Sequence, residues 1–411
     1  MARLLILLLA LLTPAALVQA RAAPPDRVVI LISLDGFRAD YLDKGVTPNL
    51  AELAKGGVNA AMRPSFPSKT FPNHWTLVTG MVPDHHGIVA NRMEDPARPG
   101  ELFTMASDDP FWWNTAEPIW AMAERAGIRT ATMFWPGSDV GWGGTRSRPA
   151  AMTSGGERPS DWQEYNQAIT NRQRIDAVLD WMRRPAAIRP RLVTLYFDTI
   201  DTAGHEFGPD DPRIEPALTE ADARIGELVQ GLRDMAIPAD LVIVADHGMA
   251  ATSSERVIAL DRLADPALYR VIEQGSYAAL VPTEGNEERL WKALSASGPN
   301  HTCWRKDQIP ARLHYGASPR VPPIICLARS GWTITATAPD RAFVGGAHGY
   351  APEDPAMAAL FIGNGPSFVP GVHLAPFDNT AITPLLRHLL GLPPVDSLDG
   401  TIKPFAGGLR Q

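Results

Sequence analysis

Three runs of β-branched and aliphatic residues, 27–34, 191–197 and 239–245, are apolar at nearly every position rather than at alternate ones. That pattern predicts strands buried on both faces, as in a parallel sheet. Shorter strands are expected at 130–134 and 356–362. Between the strands, apolar residues recur at helical spacing: Leu50, Leu53 and Ala54 between Thr47-Pro48 and a Gly56-Gly57 stop; Ile119, Met122 and Ala123; Ile175, Val178, Leu179 and Met182; and Leu218, Ile225, Leu228, Val229 and Leu232. A last helix over 381–390 is expected to close the sheet. Buried strands alternating with amphipathic helices predict an α/β fold. Residues 137–159, rich in Gly, Ser, Thr, Arg and Pro, read as loop. Residues 252–340 carry weaker signals, with strands near 278–282 and 324–328 and a helix over 284–296, and read as an inserted αβ lobe.

Composition narrows the class. With 411 residues, 45% of them hydrophobic, the chain has ample material for a large core. Its formal charge of −7 contains no long basic run, which argues against a nucleic-acid polymer as main partner. A small anionic substrate is still allowed, because bound cations reverse the sign locally. Residues 1–20 read as a signal peptide: Arg3 precedes the apolar run Leu4 to Leu12, and Val18-Gln19-Ala20 offers small-residue cleavage chemistry. The run stops at Thr13-Pro14, short of the roughly 18 residues that span a bilayer. No later stretch is long and apolar enough to cross a membrane, so a periplasmic or secreted protein without a transmembrane anchor is expected. The two cysteines, Cys303 and Cys326, would then form a disulfide in an oxidising compartment or stay as buried thiols. Assembly state leaves no signal in the sequence.

Candidate chemistry gathers where the strands end. Asp35 follows the first apolar run, at the sheet edge where open α/β folds bind ligands; alone it reads equally well as a helix cap or turn residue. Asp201 and His205 lie four apart just past the 191–197 strand, with Gly204 expected to let the backbone turn tightly between strand and helix. Asp246-His247 repeats the pairing of acid and imidazole after 239–245, and His348 stands among glycines in Gly345-Gly346-Ala347-His348-Gly349. Thr70 precedes a helix whose first turn takes Pro72, near the positive end of the helix dipole. A Ser or Thr there is an N-cap far more often than a nucleophile, and its hydroxyl needs activation to attack. His85 and His86, on a Pro/Gly loop, more often hydrogen-bond to backbone than bind metal. Three aspartates and three histidines suit two zinc ions, whose four positive charges against three negative would be brought to neutrality by ionising Thr70. A two-metal site of this kind serves in-line phosphoryl displacement.

The motifs Asp35-Gly36-Phe37-Arg38, Phe66-Pro67-Ser68-Lys69-Thr70-Phe71-Pro72-Asn73-His74, His86-Gly87-Ile88-Val89-Ala90-Asn91, Asp201-Thr202-Ala203-Gly204-His205, Asp246-His247-Gly248-Met249 and Gly346-Ala347-His348-Gly349-Tyr350 resemble, in order, the nucleotide pyrophosphatase/phosphodiesterase family of the alkaline phosphatase superfamily. The resemblance covers nearly the whole chain after residue 20. It implies an alkaline-phosphatase-like, doubly wound, mostly parallel sheet sandwiched by helices, with residues 24–411 forming one catalytic domain of the stand-alone bacterial type. It also implies two Zn2+ per chain, one held by Asp35, Thr70, Asp246 and His247 and the other by Asp201, His205 and His348. Thr70 would be the covalent nucleophile. Asn91 and the backbone N–H of Phe71 would donate to a phosphate oxygen, and Phe71 and Tyr165 would flank a nucleobase, the rival reading for both being packing against a lid. Asp198 stands where animal members carry Glu, and no ligand role is expected of it.

The implied activity is hydrolysis of nucleotide phosphodiester or pyrophosphate bonds, releasing a nucleoside 5'-monophosphate through a nucleotidyl-threonine. A hydrolase of the same superfamily acting on lipid-derived or other non-nucleotide phosphates shares the metal motifs. The aromatic pair and Phe134-Trp135-Pro136-Gly137 lean towards nucleotides. A non-catalytic binder would have no need of Thr70.

Overall fold

All seven residues of β1 (Val28–Leu34) are buried, and its neighbours on both sides are parallel to it. The computed structural model describes residues 27–147, 153–296 and 298–410, so the expected signal peptide lies outside the described residues. After β1 come α1 (Pro48–Lys55), β2 (Val58–Arg63), α2 (Thr70–Thr79), α3 (Ile119–Arg125), β3 (Thr130–Met133) and β4 (Asp161–Gln163). Then follow α4 (Asn171–Met182), β5 (Leu192–Phe197), α5 (Thr199–Phe207), α6 (Glu215–Asp234) and β6 (Ala239–Val244). The second half holds β7 (Ala250–Ser253), β8 (Tyr269–Glu273), β9 (Tyr277–Pro282), α7 (Glu287–Leu294) and β10 (His301–Arg305). It closes with β11 (Ile324–Ala328), β12 (Val344–Ala347), β13 (Ala359–Asn364) and α8 (Ile382–Leu390).

The central sheet runs β2-β13-β6-β1-β5-β3-β4, extended at the β2 edge by two short strands. Only β13 opposes its neighbours; β6, β1, β5, β3 and β4 are mutually parallel. Helices α1, α4, α5 and α6 pack together on one face and α2, α3 and α8 on the other, the doubly wound arrangement. Leu218, Ala221, Ile225, Leu228 and Leu232 form the buried stripe of α6. Buried Asp222 lies on the same stripe: its carboxylate accepts the backbone N–H groups of Leu50 (2.8 Å) and Asn49 (3.2 Å), capping α1 from a distance where Thr47 supplies no side-chain cap. Strand β2 carries no sequence signal of its own, since Asn59, Ala60, Ala61 and Met62 are poor strand formers. Its alternation of buried and half-buried positions is imposed by pairing with β13.

The expected inserted lobe is a second, antiparallel sheet, β8-β9-β11-β10, with its own apolar cluster around Leu280, Leu290, Leu294 and Ile324. Its outer strands β8 and β10 had no sequence signal. The lobe's root is the pairing of β7 with β12, so the chain leaves and re-enters the main domain side by side. Cys303 and Cys326 are register partners on β10 and β11 and are joined by a disulfide. Among the described residues, no helix is long and apolar enough to cross a membrane.

Candidate active site

Adjacent strand ends bring the acids together. Asp35 follows β1 and Asp246 follows β6; α5, which starts just after β5, carries Asp201 and His205 one turn apart on one face. Gly204 sits inside this helix and makes no turn, contrary to expectation. It allows close approach: a Cβ there would meet Met249 at 2.9 Å, and a Cβ on Gly346 of β12 would lie 2.4 Å from the Gly204 carbonyl. That contact delivers His348, which follows β12. Gly36 has φ +71°, and a Cβ there would press on Asp201, so glycine lets the β1 turn pass beneath the acid.

Two groups result, Asp35 with Asp246 and His247, and Asp201 with His205 and His348, each offering ligand atoms within 4.8 Å of one another. They abut through stacked imidazoles, His247 on His348 with ring centres 3.5 Å apart. The wiring of the three histidines is uniform. Nδ1 of His205 lies 2.8 Å from the Gly346 carbonyl, that of His247 3.0 Å from the Gly248 carbonyl, and that of His348 2.8 Å from the Ser68 carbonyl. A carbonyl only accepts, so each Nδ1 carries the proton and each Nε2 keeps its lone pair. Nε2 of His205 and Nε2 of His348 then face each other at 3.2 Å, lone pair against lone pair. The acids show the same deficit: Asp35 Oδ1, Asp201 Oδ1 and Asp246 Oδ2 are buried without a hydrogen-bond donor. Imidazole nitrogens come as near as 2.9 Å (His247 Nε2 to Asp246 Oδ2), but out of hydrogen-bond alignment.

Such a cluster is unfavourable by itself. Burial, reinforced by Asp246 and Asp201, pushes the Asp35 carboxyl well above the usual carboxylate range. Burial and then Asp201 raise Asp246, while burial pushes His247 and His348 down. Orphaned oxygens and unprotonated nitrogens converging there fit divalent cations with N and O ligands.

Thr70 is the first residue of α2, not its N-cap; Lys69 holds that place and no side chain caps the helix. The Thr70 hydroxyl is therefore not engaged by capping, and it lies 3.4 Å from His247 Nε2. Asn91 stands beside it, but its Oδ1 accepts the Phe71 N–H at 2.9 Å. The Phe71 N–H, expected to meet a phosphate, thus bonds Asn91 Oδ1 in this structure. Phe71 is half-buried against Phe103 and Trp113. Tyr165 keeps 49% of its surface exposed, with its ring edge against Phe134 and Tyr196. His86 and His85 turn out to be hydrogen-bonding residues, His86 to Thr76 and the Pro72 carbonyl, His85 to Asp399.

Two partners went unnoticed in the sequence. The Tyr196 hydroxyl donates to Asp35 Oδ2 at 2.6 Å. His74, the last residue of the Thr70 motif, has Nδ1 on the Thr70 carbonyl (2.8 Å) and Nε2 on the Ser33 hydroxyl (2.8 Å), so it ties the start of α2 to β1. A buried histidine four residues after Thr70 on one helix face was the available signal.

Residues 29–351 match the model of the type I phosphodiesterase / nucleotide pyrophosphatase family. An uncharacterised pyrophosphatase/phosphodiesterase of Schizosaccharomyces pombe is 38% identical over 392 residues, covering 89% of this chain and 77% of that protein. The bis(5'-adenosyl)-triphosphatase of Bos taurus is 35% identical over 383 residues, covering 92% of this chain and 80% of that one. Among solved structures, human ectonucleotide pyrophosphatase/phosphodiesterase 5 superposes with TM-score 0.87 at 34% identity, covering 94% of this chain and all of that chain. An inactive threonine-to-alanine variant of its murine counterpart, in complex with AMP, superposes with TM-score 0.86 at 33% identity. Fold, site and similarity agree, and the chain belongs to the type I phosphodiesterase / nucleotide pyrophosphatase family of enzymes.

Proposed function

We propose that this protein hydrolyses nucleotide phosphodiester or pyrophosphate bonds, in nucleoside triphosphates, dinucleotides or similar compounds, and releases a nucleoside 5'-monophosphate. The observation that carries the reading is the paired Nε2 lone pairs of His205 and His348, beside buried carboxylate oxygens without donors and a Thr70 hydroxyl 3.4 Å from His247 Nε2. Asp35, Thr70, Asp246 and His247 would hold one zinc ion, and Asp201, His205 and His348 the other. Bound there, the ions supply charge for the phosphate and lower the pKa of hydroxyl groups beside them.

The chain's own residues do the rest. Thr70 Oγ1, at the positive end of the ten-residue α2, attacks phosphorus in line with the leaving oxygen and forms a nucleotidyl-threonine. Asn91, held by its bond to Phe71 N–H, donates from its amide to a non-bridging oxygen. Water then attacks the same phosphorus from the vacated side, frees Thr70 and leaves retained configuration. Phe71 and Tyr165 take the base. The AMP held by the murine relative and the adenosyl substrate of the bovine one support a nucleotide over a lipid-derived phosphate. The leader-like residues 1–20 and the Cys303–Cys326 disulfide support a periplasmic or secreted location.

Quenching turnover of a nucleotide labelled at its α-phosphate tests the reading. Label on the peptide carrying Thr70 is expected. Turnover with no label on protein at any quench time, and with retention lost at a chiral phosphorus, contradicts it.

A further inference from the structure

Asp198 follows β5 and stands at the N-cap position of α5, yet its carboxylate makes no cap hydrogen bond. Its two oxygens are divided among other partners, one of them the Gln167 amide, whose Nε2 donates to Oδ2 at 3.5 Å. Oδ1 accepts Arg174 Nη1 at 2.8 Å, and Oδ2 accepts the Tyr165 hydroxyl at 2.9 Å. Arg174 is only 2% exposed, and three bonds fix its guanidinium: Nη1 also donates to the Tyr196 carbonyl (2.9 Å) and Nε to the Ile169 carbonyl (3.0 Å). The same guanidinium lies over the Phe134 ring, 4.9 Å from its centre. A buried cation in one pose thus fixes a carboxylate, and the carboxylate fixes the hydroxyl of a tyrosine whose ring is half in solvent.

We propose that the Arg174–Asp198 pair anchors the Tyr165 ring in the pose that receives a nucleobase, which makes Asp198 a positioning residue for base recognition. The inference rests on the reading of Tyr165 as a base wall. An exposed tyrosine on an irregular segment samples several rotamers. Tethered at its hydroxyl and edged by Phe134 and Tyr196, it is ordered before the base arrives, so stacking does not have to offset that entropy. Asp198 suits this task because one short carboxylate spans both partners. The anchor reaches the reacting end of the site through Tyr196, which holds Arg174 by its carbonyl and Asp35 by its hydroxyl.

The test compares a substrate with a base, p-nitrophenyl thymidine 5'-monophosphate, with one lacking it, bis-p-nitrophenyl phosphate. The readout is the ratio of their kcat/KM values. Tyr165→Phe removes only the tether and leaves the Arg174–Asp198 pair whole, so folding is not at risk. The ratio is expected to fall about five- to tenfold, mainly through KM, at the low end of the range of one base–aromatic stack. Asp198→Asn should move it the same way. A ratio within 1.5-fold (about experimental error) of the parent in Tyr165→Phe overturns the anchor, as does an equal loss on both substrates in Asp198→Asn. Tyr165→Ala separates the two levels: a lowered ratio there with an unchanged ratio in Tyr165→Phe removes the anchor and keeps the base wall, whereas an unchanged ratio in Tyr165→Ala removes the base wall itself.

Discussion

His348 and His86 are both buried histidines preceding a glycine, and they are wired in opposite ways. In the pocket beneath α2, His86 Nε2 meets the Pro72 carbonyl (3.1 Å) and the Thr76 hydroxyl (3.0 Å), while Nδ1 accepts the Ile88 N–H (3.1 Å), so both nitrogens are satisfied within the fold. At the strand ends, His348 has Nδ1 on the Ser68 carbonyl and turns a bare Nε2 towards His205. One region is complete as it stands; the other gathers acids and lone pairs that are stable together only around positive charge. The contrast shows that a second nitrogen left over by the fold, rather than burial or sequence neighbourhood, is what fits a histidine to bind a cation.

The contrast can be broken at several points. Thr70→Ala should lower turnover by at least about 10³-fold, because the attacking oxygen is gone, while unfolding temperature and cation content stay near those of the parent; kinetics with calorimetry check this. His348→Gln should cost at least about a hundredfold in turnover along with one bound cation, whereas His86→Gln should keep both cations and change kcat by less than about threefold; a similar loss in both variants would erase the distinction. Chelation should lower the unfolding temperature by several degrees, since cations that bind only the folded state contribute about 2.7 kcal/mol at a hundredfold excess over Kd. Re-addition of zinc should restore it.

The smallest effect concerns pH. Burial pushes His86 down to about 3. Its folded value is thus depressed below that of the unfolded chain, so its contribution is complete above about pH 6.5 and declines as pH falls towards the folded value. The loss is on the order of 1 kcal/mol by pH 5.5. Urea unfolding of the parent and His86→Gln at pH 7.5 and 5.5 measures it, the variant being expected to lose that part of the slope.

The placing of acids and imidazoles at strand ends was legible in the sequence, as was the α/β class, whereas several strands were not. Acid and imidazole recur after apolar runs, and a buried strand ending in Asp-His is visible because polarity changes abruptly at Asp246 and at Asp35. Strands β2, β8 and β10 left no such edge: their residues are set by pairing partners distant in sequence, so β2 reads as Asn-Ala-Ala-Met until β13 is beside it. Gly204 was misjudged for a related reason, since its need for space arises from Met249 and Gly346 rather than from its own turn. The bond from the Phe71 N–H to Asn91 Oδ1 has no signal in the sequence, because sequence order cannot show what the Asn91 side chain reaches. Asp198 drew no attention as a non-ligand, although its two oxygens join Arg174 to Tyr165.

Metal content speaks most directly to the central claim, that two convergent groups of acids and imidazoles each hold a cation. After zinc reconstitution and desalting, the parent should retain about two equivalents per chain, with Asp201→Asn and Asp246→Asn each keeping close to one. Fewer than about one equivalent in the parent, or an unchanged count in both variants, would contradict it.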